Sequence, residues 1–277
     1  MIDLHTHSSF SDGTMRPEKL VSYAEKRGVE VLALTDHDTV DGIEEFISCG
    51  GNVERVAGIE ISVAYDPGTF HLVGLLIDHK NPVLTQTIQK LKDARRRRNI
   101  KLMELISGLV GRKVTEDEVA PDKDGELGRP HVADFLIKQG FAENMNDAFD
   151  KYLGKEGDLY LPKDRLEFSE AVDVIHEAGG VAILAHPLTM RLEEKYYGPV
   201  TKYLKGLGLD GIEVWCSDTP EDKYAMFMDI AREHDMLISG GSDYHGDNKL
   251  SVGLGTGRGD LNIPYEVFKE LKGRAQR

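Results

Sequence analysis

The amino-terminus reads Met1-Ile2-Asp3-Leu4-His5-Thr6-His7, and Asp12 follows within a serine- and glycine-rich stretch. Residues two apart on a strand share a face, so the imidazoles of His5 and His7 can reach one point. Two imidazoles and a carboxylate at the end of a short apolar run form a donor set for a divalent transition metal. The pattern recurs along the chain. Val31-Leu32-Ala33-Leu34 runs directly into Thr35-Asp36-His37-Asp38, Gly58-Ile59-Glu60 lies within a third apolar run, and His71 opens a fourth. Val181–Ala185 ends in His186-Pro187, and Met236–Ser239 is followed by Gly240-Gly241-Ser242-Asp243-Tyr244-His245. Six of the ten histidines (5, 7, 37, 71, 186 and 245) fall at such places. His5, His7, Asp12, His37, Glu60, His71, His186, Asp243 and His245 are too many donors for one tetrahedral ion, which implies two or three metals sharing carboxylate bridges. Plain structural roles exist for each motif: a half-exposed strand for His5 and His7, a helix cap for Asp36-His37-Asp38, a hydrogen-bonded strand residue for His71, a turn for His186-Pro187. Together they require independent coincidences at six strand ends. Glu60 resists them most, because a carboxylate inside an apolar run needs partners. His79, His176 and His234 lie away from the strand ends and read as structural or surface residues.

The elements that must position these residues alternate. Strands are predicted at Ile2–Leu4, Val29–Leu34, Arg55–Val63, Thr69–Ile77, Val181–Ala185, Gly211–Val214 and Met236–Ser239. Helices are predicted near Pro17–Arg27, Val40–Ile47, Ser169–Ala178, Lys195–Gly206, Glu221–His234 and Tyr265–Leu271. Pro17 suits an early helical position and Gly28 a helix stop. Asp66-Pro67-Gly68 is a turn signal between the third and fourth runs. Repeated strand–helix units argue for a parallel sheet covered by helices, open or closed into a barrel, with active-site residues at the carboxyl ends of the strands. After Asn81-Pro82 the texture changes: Val83–Leu109 reads as one long helix, and the chain to about Lys163 shows helical patterns without a buried strand. The expected organisation is a barrel domain of residues 1–82 and 164–277 interrupted by a helical insertion of residues 83–163.

With 277 residues the chain can bury a large core, and 40% hydrophobic with 30% charged residues is ordinary for a globular protein. Lys+Arg 34 against Asp+Glu 48 gives 34 − 48 = −14. That charge argues against broad binding of duplex nucleic acid or an anionic membrane, but not against a small anion, because bound cations reverse the local field. Two cysteines, Cys49 and Cys216, are too few for a disulfide framework, and neither a signal-peptide pattern nor a spanning apolar run is present, so a cytoplasmic setting is expected. The one dense basic run is Arg95–Arg98. Four successive helical residues spread over all faces, so the default is a solvated helix, with guidance of a polyanion as the minority reading.

His5-Thr6-His7, Thr35-Asp36-His37-Asp38, Gly58-Ile59-Glu60, Ala185-His186-Pro187 and Gly241-Ser242-Asp243-Tyr244-His245 resemble, in order, the motifs of the PHP (polymerase and histidinol phosphatase) phosphoesterases. The resemblance implies an α/β fold, a distorted (β/α)7 barrel with a helical insertion domain, and a trinuclear site. It assigns one metal to His5, His7, Glu60 and Asp243, a second to Asp12, His37 and His245, and a third to Glu60, His71 and His186, with Glu60 as bridge. Manganese is the first expectation for the ions, with zinc or iron as alternatives, and Asp12, His37, Glu60 and His245 are the expected catalytic residues. Gly128-Arg129-Pro130-His131-Val132-Ala133 and Tyr152–Lys163 resemble the insertion of the branch acting on nucleoside 3′,5′-bisphosphates and short 5′-phosphorylated oligonucleotides. There Arg129 and His131 would clamp a phosphate that is not cleaved; read without the resemblance, Arg129-Pro130 merely starts a helix. The implied activity is removal of the 3′-phosphate from a nucleoside 3′,5′-bisphosphate by attack of a metal-bridging hydroxide. A 5′-3′ exonuclease and a histidinol-phosphate phosphatase are alternatives on the same site. A metal-binding regulatory or proofreading module is an alternative of another class. The expected partner is a small anionic nucleotide or short oligonucleotide, and oligomeric state is not written in these motifs.

Overall fold

The computed structural model describes residues 1–65, 70–121, 127–259 and 261–275, so the predicted turn at Asp66-Pro67-Gly68 lies outside the described residues. The apolar runs form one seven-stranded sheet in chain order: β1 (Ile2–Asp3), β2 (Val31–Leu34), β3 (Glu54–Ser62), β4 (His71–Leu75), β5 (Val181–Leu184), β6 (Gly211–Cys216) and β7 (Leu237–Gly241). The helices are α1 (Pro17–Lys26), α2 (Ile43–Ser48), α3 (Pro82–Val110), α4 (Glu116–Val119), α5 (Arg129–Lys138), α6 (Met145–Ala148), α7 (Phe168–Glu177), α8 (Glu194–Gly206), α9 (Tyr224–Glu233) and α10 (Tyr265–Ala275). The sheet curls until β7 meets β1: Leu4 N–H donates to the Gly240 carbonyl at 3.2 Å, and past the strand ends Asp243 N–H donates to His5 O and His7 N–H to Tyr244 O, both at 2.9 Å. The result is a nearly closed seven-stranded α/β barrel.

One expectation needs correction. The sheet is not all parallel, because β4 runs antiparallel to both β3 and β5. Only residues 63–70 join β3 to β4, too few for a crossover helix, so the chain must turn back as a hairpin. The reversal matters for the site. The other six strands deliver their carboxyl ends to one rim, and β4 delivers its first residue, His71, to that same rim. The helix predicted over Glu221–His234 also divides, into a 3-10 turn (Glu221–Lys223) followed by α9.

Strand alternation divides the core. Val31 and Ala33 face one apolar cluster with Ile2, Leu4, Val56, Val73, Val181 and Ile183, which Val267, Phe268 and Leu271 of α10 join. Leu32 and Leu34 face another, built with Leu20, Val21 and Ala24 of α1 and with Ile43 and Phe46. Strands buried on both faces read as continuous apolar runs, which is why they were visible in the sequence. α1 starts on Pro17, stops before Gly28 at φ 74, and buries Pro17, Leu20, Val21 and Ala24, the spacing of one helical face.

The chain divides into two compact units, Met1–Ile88 with Arg165–Arg277, and Gln89–Asp164. The division falls inside α3, whose Leu84 and Ile88 are buried in the first unit. The second unit has its own core, formed by Leu102, Ile106, Val132, Phe135, Leu136 and Leu153 among others. Among the described residues, no helix is long and apolar enough to cross a membrane.

Candidate metal centre

The barrel rim gathers the donors. His5 and His7 leave β1, His37 follows β2, Glu60 lies near the end of β3, His71 begins β4, His186 follows β5, and Asp243 and His245 follow β7. Glu60 is fully buried and stands at the centre. Its Oε2 lies 3.3 Å from His5 Nε2, 3.2 Å from His7 Nε2 and 3.0 Å from His37 Nδ1. Its Oε1 lies 2.8 Å from both His71 Nδ1 and His186 Nε2, which are 3.4 Å apart. Asp243 Oδ1 lies 3.1 Å from His7 Nε2 and 3.6 Å from His5 Nε2. Asp12 lies 3.2 Å from His245 Nε2 and 3.8 Å from His37 Nε2.

Three groups of donors are close enough to share ions: His5, His7, Glu60 and Asp243; His7, Asp12, His37 and His245; and His37, Glu60 and His71, with His186 beside the last. His7 and His37 each belong to two groups. The donors fit divalent cations on a direct observation: His5 Nε2, both ring nitrogens of His7, His37 Nδ1 and Glu60 Oε2 are buried without a hydrogen-bond partner. Buried polar atoms are normally satisfied, and three orphaned imidazole nitrogens converging on the orphaned Oε2 of Glu60 mark a place for cations.

The charge states point the same way. Burial disfavours the protonated ring of His5, yet Glu213, Glu60 and Asp243 push its pKa well above the ordinary value. Burial likewise opposes protonation of His7, but Asp243 and Glu60 raise it to about 10. His37 falls to about 3, because burial and the neighbouring His7 and His71 outweigh Glu60 and Asp12. Burial resists ionisation of Glu60 and Asp243, but His37, His71 and His5 hold Glu60 well below the carboxylate range, and His5, His7 and Lys249 do so for Asp243. Asp12 is also lowered: His37 and His245 overcome its burial. The carboxylates are therefore ionised, and protons on buried imidazoles hold places that cations can take.

A second tier of carboxylates ties neighbouring strand ends together. Glu213 on β6 accepts from His186 N–H at 2.6 Å and pairs with His5 Nδ1 at 3.0 Å, turning His5 Nε2 toward Glu60. Asp3 on β1 accepts from the N–H and hydroxyl of Ser242 beyond β7 at 2.8 and 2.6 Å, and from Gly255 N–H at 2.7 Å. Asp36 accepts from Ser8 N–H, Ser8 Oγ and Ser11 Oγ at 2.6 to 2.7 Å, and Asp38 from Ser62 N–H at 3.0 Å. Asp36 and Asp38 thus lock adjacent loops; the N-cap of α2 is Gly42. Asp38, His186 and Asp243 have φ of 50, 26 and 54, a region non-glycine residues rarely adopt, held here by these contacts. Gly241 lets β7 approach β1, since a Cβ there would lie 2.3 Å from His5 Cβ.

The sequence reading missed Glu213, Asp3 and Lys249. The signal for Glu213 was the one that flagged Glu60, a carboxylate inside an apolar run, and Glu213 is 2% exposed. Asp3 sits likewise between Ile2 and Leu4 and is wholly buried. Lys249 Nζ donates to Asp243 Oδ2 at 2.5 Å, and nothing in its sequence context announces that. Arg129 and His131 belong to the second unit. α5 begins at Arg129, whose side chain is exposed with its guanidinium 5.8 Å from the Phe149 ring centre; His131 is half-buried, and its Nδ1 accepts from Gly128 N–H at 3.0 Å.

Comparison with known proteins decides the family: the PHP domain model matches residues 3–161. The chain belongs to the PHP domain family. It is 35% identical over 245 residues to a 5′-3′ exoribonuclease of Haemophilus influenzae, covering 88% of this chain and 89% of that one. A 3′,5′-nucleoside bisphosphate phosphatase of Chromobacterium violaceum is 29% identical, covering 100% of this chain and 98% of that one. Among solved structures, a protein of Bifidobacterium adolescentis assigned to the metal-dependent phosphoesterases superposes with TM-score 0.80 at 30% identity, covering 98% of this chain and 95% of its own. A Chromobacterium violaceum structure named as an amidohydrolase, with bound sulfate and no metal, superposes with TM-score 0.83 at 28% identity, covering 99% and 96%. This PHP chain is accordingly a metal-dependent phosphoesterase, built on the barrel that the relatives share.

Proposed function

We propose that the enzyme hydrolyses the P–O3′ bond of a nucleotide whose 5′-phosphate is held separately. Nucleoside 3′,5′-bisphosphates are the first substrate, and short 5′-phosphorylated oligonucleotides the second. What carries the reading is the convergence of orphaned buried imidazole nitrogens on Glu60 at the rim, a donor set with no use in a merely structural role. The names of the relatives supply the substrate class, one a bisphosphate phosphatase and one an exoribonuclease.

The two activities share one bond. Removing the 3′-phosphate from a bisphosphate and removing a 5′-mononucleotide from an oligomer both add water oxygen to the phosphorus on O3′. In both, O3′ leaves with the second proton of the water. They differ only in what else the phosphorus carries. Divalent cations held by the three donor groups would supply a hydroxide-strength nucleophile at neutral pH and neutralise the phosphoryl and leaving oxygens. The protein's own part is placement. Glu60 belongs to two of the donor groups, Glu213 orients His5, Asp3 and Asp36 lock the loops, and Asp12, 40% exposed, stands on the open side beside His37 and His245. Arg129 and His131 are assigned to the uncleaved 5′-phosphate. His131 Nδ1 accepts from Gly128 N–H, which places the ring proton on Nε2, a donor type that suits a phosphate oxygen. A guanidinium fork matches a phosphate edge.

The test is phosphate release by manganese-loaded enzyme from adenosine 3′,5′-bisphosphate, adenosine monophosphates, a 5′-phosphorylated oligonucleotide and histidinol phosphate. Preference for the bisphosphate, with AMP bearing a 5′-phosphate as product, supports the reading. Stepwise release of 5′-mononucleotides with little bisphosphate turnover shifts it to the exonuclease. Preference for histidinol phosphate overturns it.

A further inference from the structure

Lys249 is a group at the rim that holding cations does not explain. Its Nζ donates to Asp243 Oδ2 at 2.5 Å, while Asp243 Oδ1 lies 3.1 Å from His7 Nε2 and 3.6 Å from His5 Nε2. One carboxylate therefore divides its oxygens between a cation place and an ammonium. Divalent ions held through Oδ1 would already offset the charge of Asp243, so a further cation on Oδ2 is more than charge balance requires. An ammonium has three N–H donors, and Asp243 is the one hydrogen-bond partner of Nζ among the described residues. The side chain is 36% exposed, so its remaining donors can be reached from solvent. A counter-ion that only steadied Asp243 would gain nothing from that exposure, because solvent weakens an ion pair.

The fold builds this position. Past β7 the chain makes a 3-10 turn, Gly246–Lys249, and the turn is pinned to the loop that carries Asp12. Asn248 Nδ2 donates to the Asp12 carbonyl at 2.7 Å, Asp247 N–H to Thr14 Oγ1 at 3.0 Å, and Thr14 N–H to the His245 carbonyl at 3.2 Å. Gly246, at φ 64, permits the approach, because a Cβ there would overlap Thr14 Oγ1. These bonds put Lys249 on the open side of the centre with Asp12, and Leu250 follows it at 84% exposed. A phosphate drawn to the ions thus arrives beside Nζ, one carboxylate away.

The two bonds open to the enzyme differ at the phosphorus. A phosphomonoester, such as the 3′ end of a bisphosphate, has three terminal oxygens and about 1.5 to 2 negative charges at neutral pH. A phosphodiester inside an oligonucleotide carries a single charge, and an ester oxygen bearing the next nucleoside replaces the third terminal oxygen. An ammonium beside the ions favours the first group over the second, both by charge and by the oxygen it can bond. We infer that Lys249 binds the terminal oxygen that a phosphomonoester has and a phosphodiester lacks, and so sets the preference of this centre for the 3′-phosphate of a bisphosphate over the internal linkage of an oligonucleotide. The inference rests on the reading that the P–O3′ bond is cleaved here, and it adds the residue that ranks the two substrates.

The experiment compares manganese-loaded wild type and Lys249→Met on adenosine 3′,5′-bisphosphate and a 5′-phosphorylated oligonucleotide. In Lys249→Met, kcat/KM for the bisphosphate should fall about tenfold or more relative to that for the oligonucleotide, the worth of one charged hydrogen bond. Two readouts do not depend on turnover. Metal per chain, by mass spectrometry, should equal wild type. Calorimetric affinity for inorganic phosphate should fall about tenfold, while affinity for dimethyl phosphate should barely change. Equal losses on both substrates with both anions bound alike, or loss of metal, would make Lys249 a general support of the centre and overturn the inference. p-Nitrophenyl phosphate and bis(p-nitrophenyl) phosphate repeat the comparison without a nucleoside. If wild type ignores both nucleotides and Lys249→Met still shifts this second ratio toward the diester, the nucleotide reading fails and the role of Lys249 stands. If wild type hydrolyses the bisphosphate and Lys249→Met keeps the wild-type ratio, the inference alone fails.

Discussion

The barrel rim and the start of α5, where the proposed phosphate clamp stands, hold their side chains in different ways. At the rim each donor is held twice: His5 lies between Glu213 and Glu60, His186 is fixed through its backbone by Glu213 and through its ring by Glu60, and Glu60 itself is fully buried. On α5, Arg129 stands exposed at a helix start beside the Phe149 ring, and His131 contributes one ring nitrogen to its own helix cap. A site that assembles several cations needs geometry fixed before binding, because every misplaced ligand leaves a buried charge unpaired. A residue proposed to select among soluble phosphates needs no such buried framework, because it meets its ligand at the surface.

That contrast can be broken by substitution. Arg129→Ala should cost about 2–4 kcal/mol in kcat/KM for the bisphosphate and little for a 3′-monophosphate, with metal content unchanged. Steady-state kinetics on both substrates checks it, and equal losses on both would erase the distinction between rim and clamp. Glu213→Gln should act through metal instead. Losing the carboxylate behind His5 and His186 should weaken metal binding about 10–100-fold, read by titration against a competing chelator. A fall in activity at full metal loading would assign Glu213 some other role.

Proton release sharpens the same point. His7 sits near 10 without metal, so at neutral pH a cation must displace its proton. Apparent metal affinity should rise with pH through the neutral range, by about tenfold per unit for each proton released. Calorimetry in buffers of different ionisation enthalpy counts those protons, and pH-independent binding would contradict the charge pattern. The smallest effect lies away from the rim. His176 Nε2 meets Asp210 at 2.6 Å, which raises the His176 pKa; its side chain is 38% exposed. A raised folded-state pKa stabilises below the unfolded value, and the gain is lost as pH rises through the folded one. Asp210 shifts the other way: burial opposes but His176 and Ala182 N–H lower it, so its share disappears as pH falls through its folded pKa. His176→Ala should therefore cost only ~0.2–1 kcal/mol near neutrality after solvent screening, seen in denaturant melts, and leave turnover alone.

Much of the rim was readable from residue order because polar donors ended runs that were apolar throughout. Strands buried on both faces leave that mark, and so Val31–Leu34 followed by Asp36-His37-Asp38 stood out. The reversal of β4 was not readable, because a short apolar run looks the same in either direction; only the brevity of residues 63–70 hinted at it. Glu213 carried the same signature as Glu60 and was passed over for want of a histidine beside it. Lys249 depends on where a loop after β7 folds, which periodicity does not reach. The four basic residues Arg95–Arg98 divide between half-buried and exposed positions, as helical spacing requires, and burial alone tells them apart.

The most direct test of the central claim is the metal content of wild type and Glu60→Gln after equilibration with manganese, measured by mass spectrometry alongside bisphosphate hydrolysis. Wild type should hold more than one ion per chain, and Glu60→Gln should lose ions together with at least ~10²–10³-fold in kcat/KM. A Glu60→Gln protein that keeps its full complement of metal and its turnover would contradict a centre organised around that carboxylate.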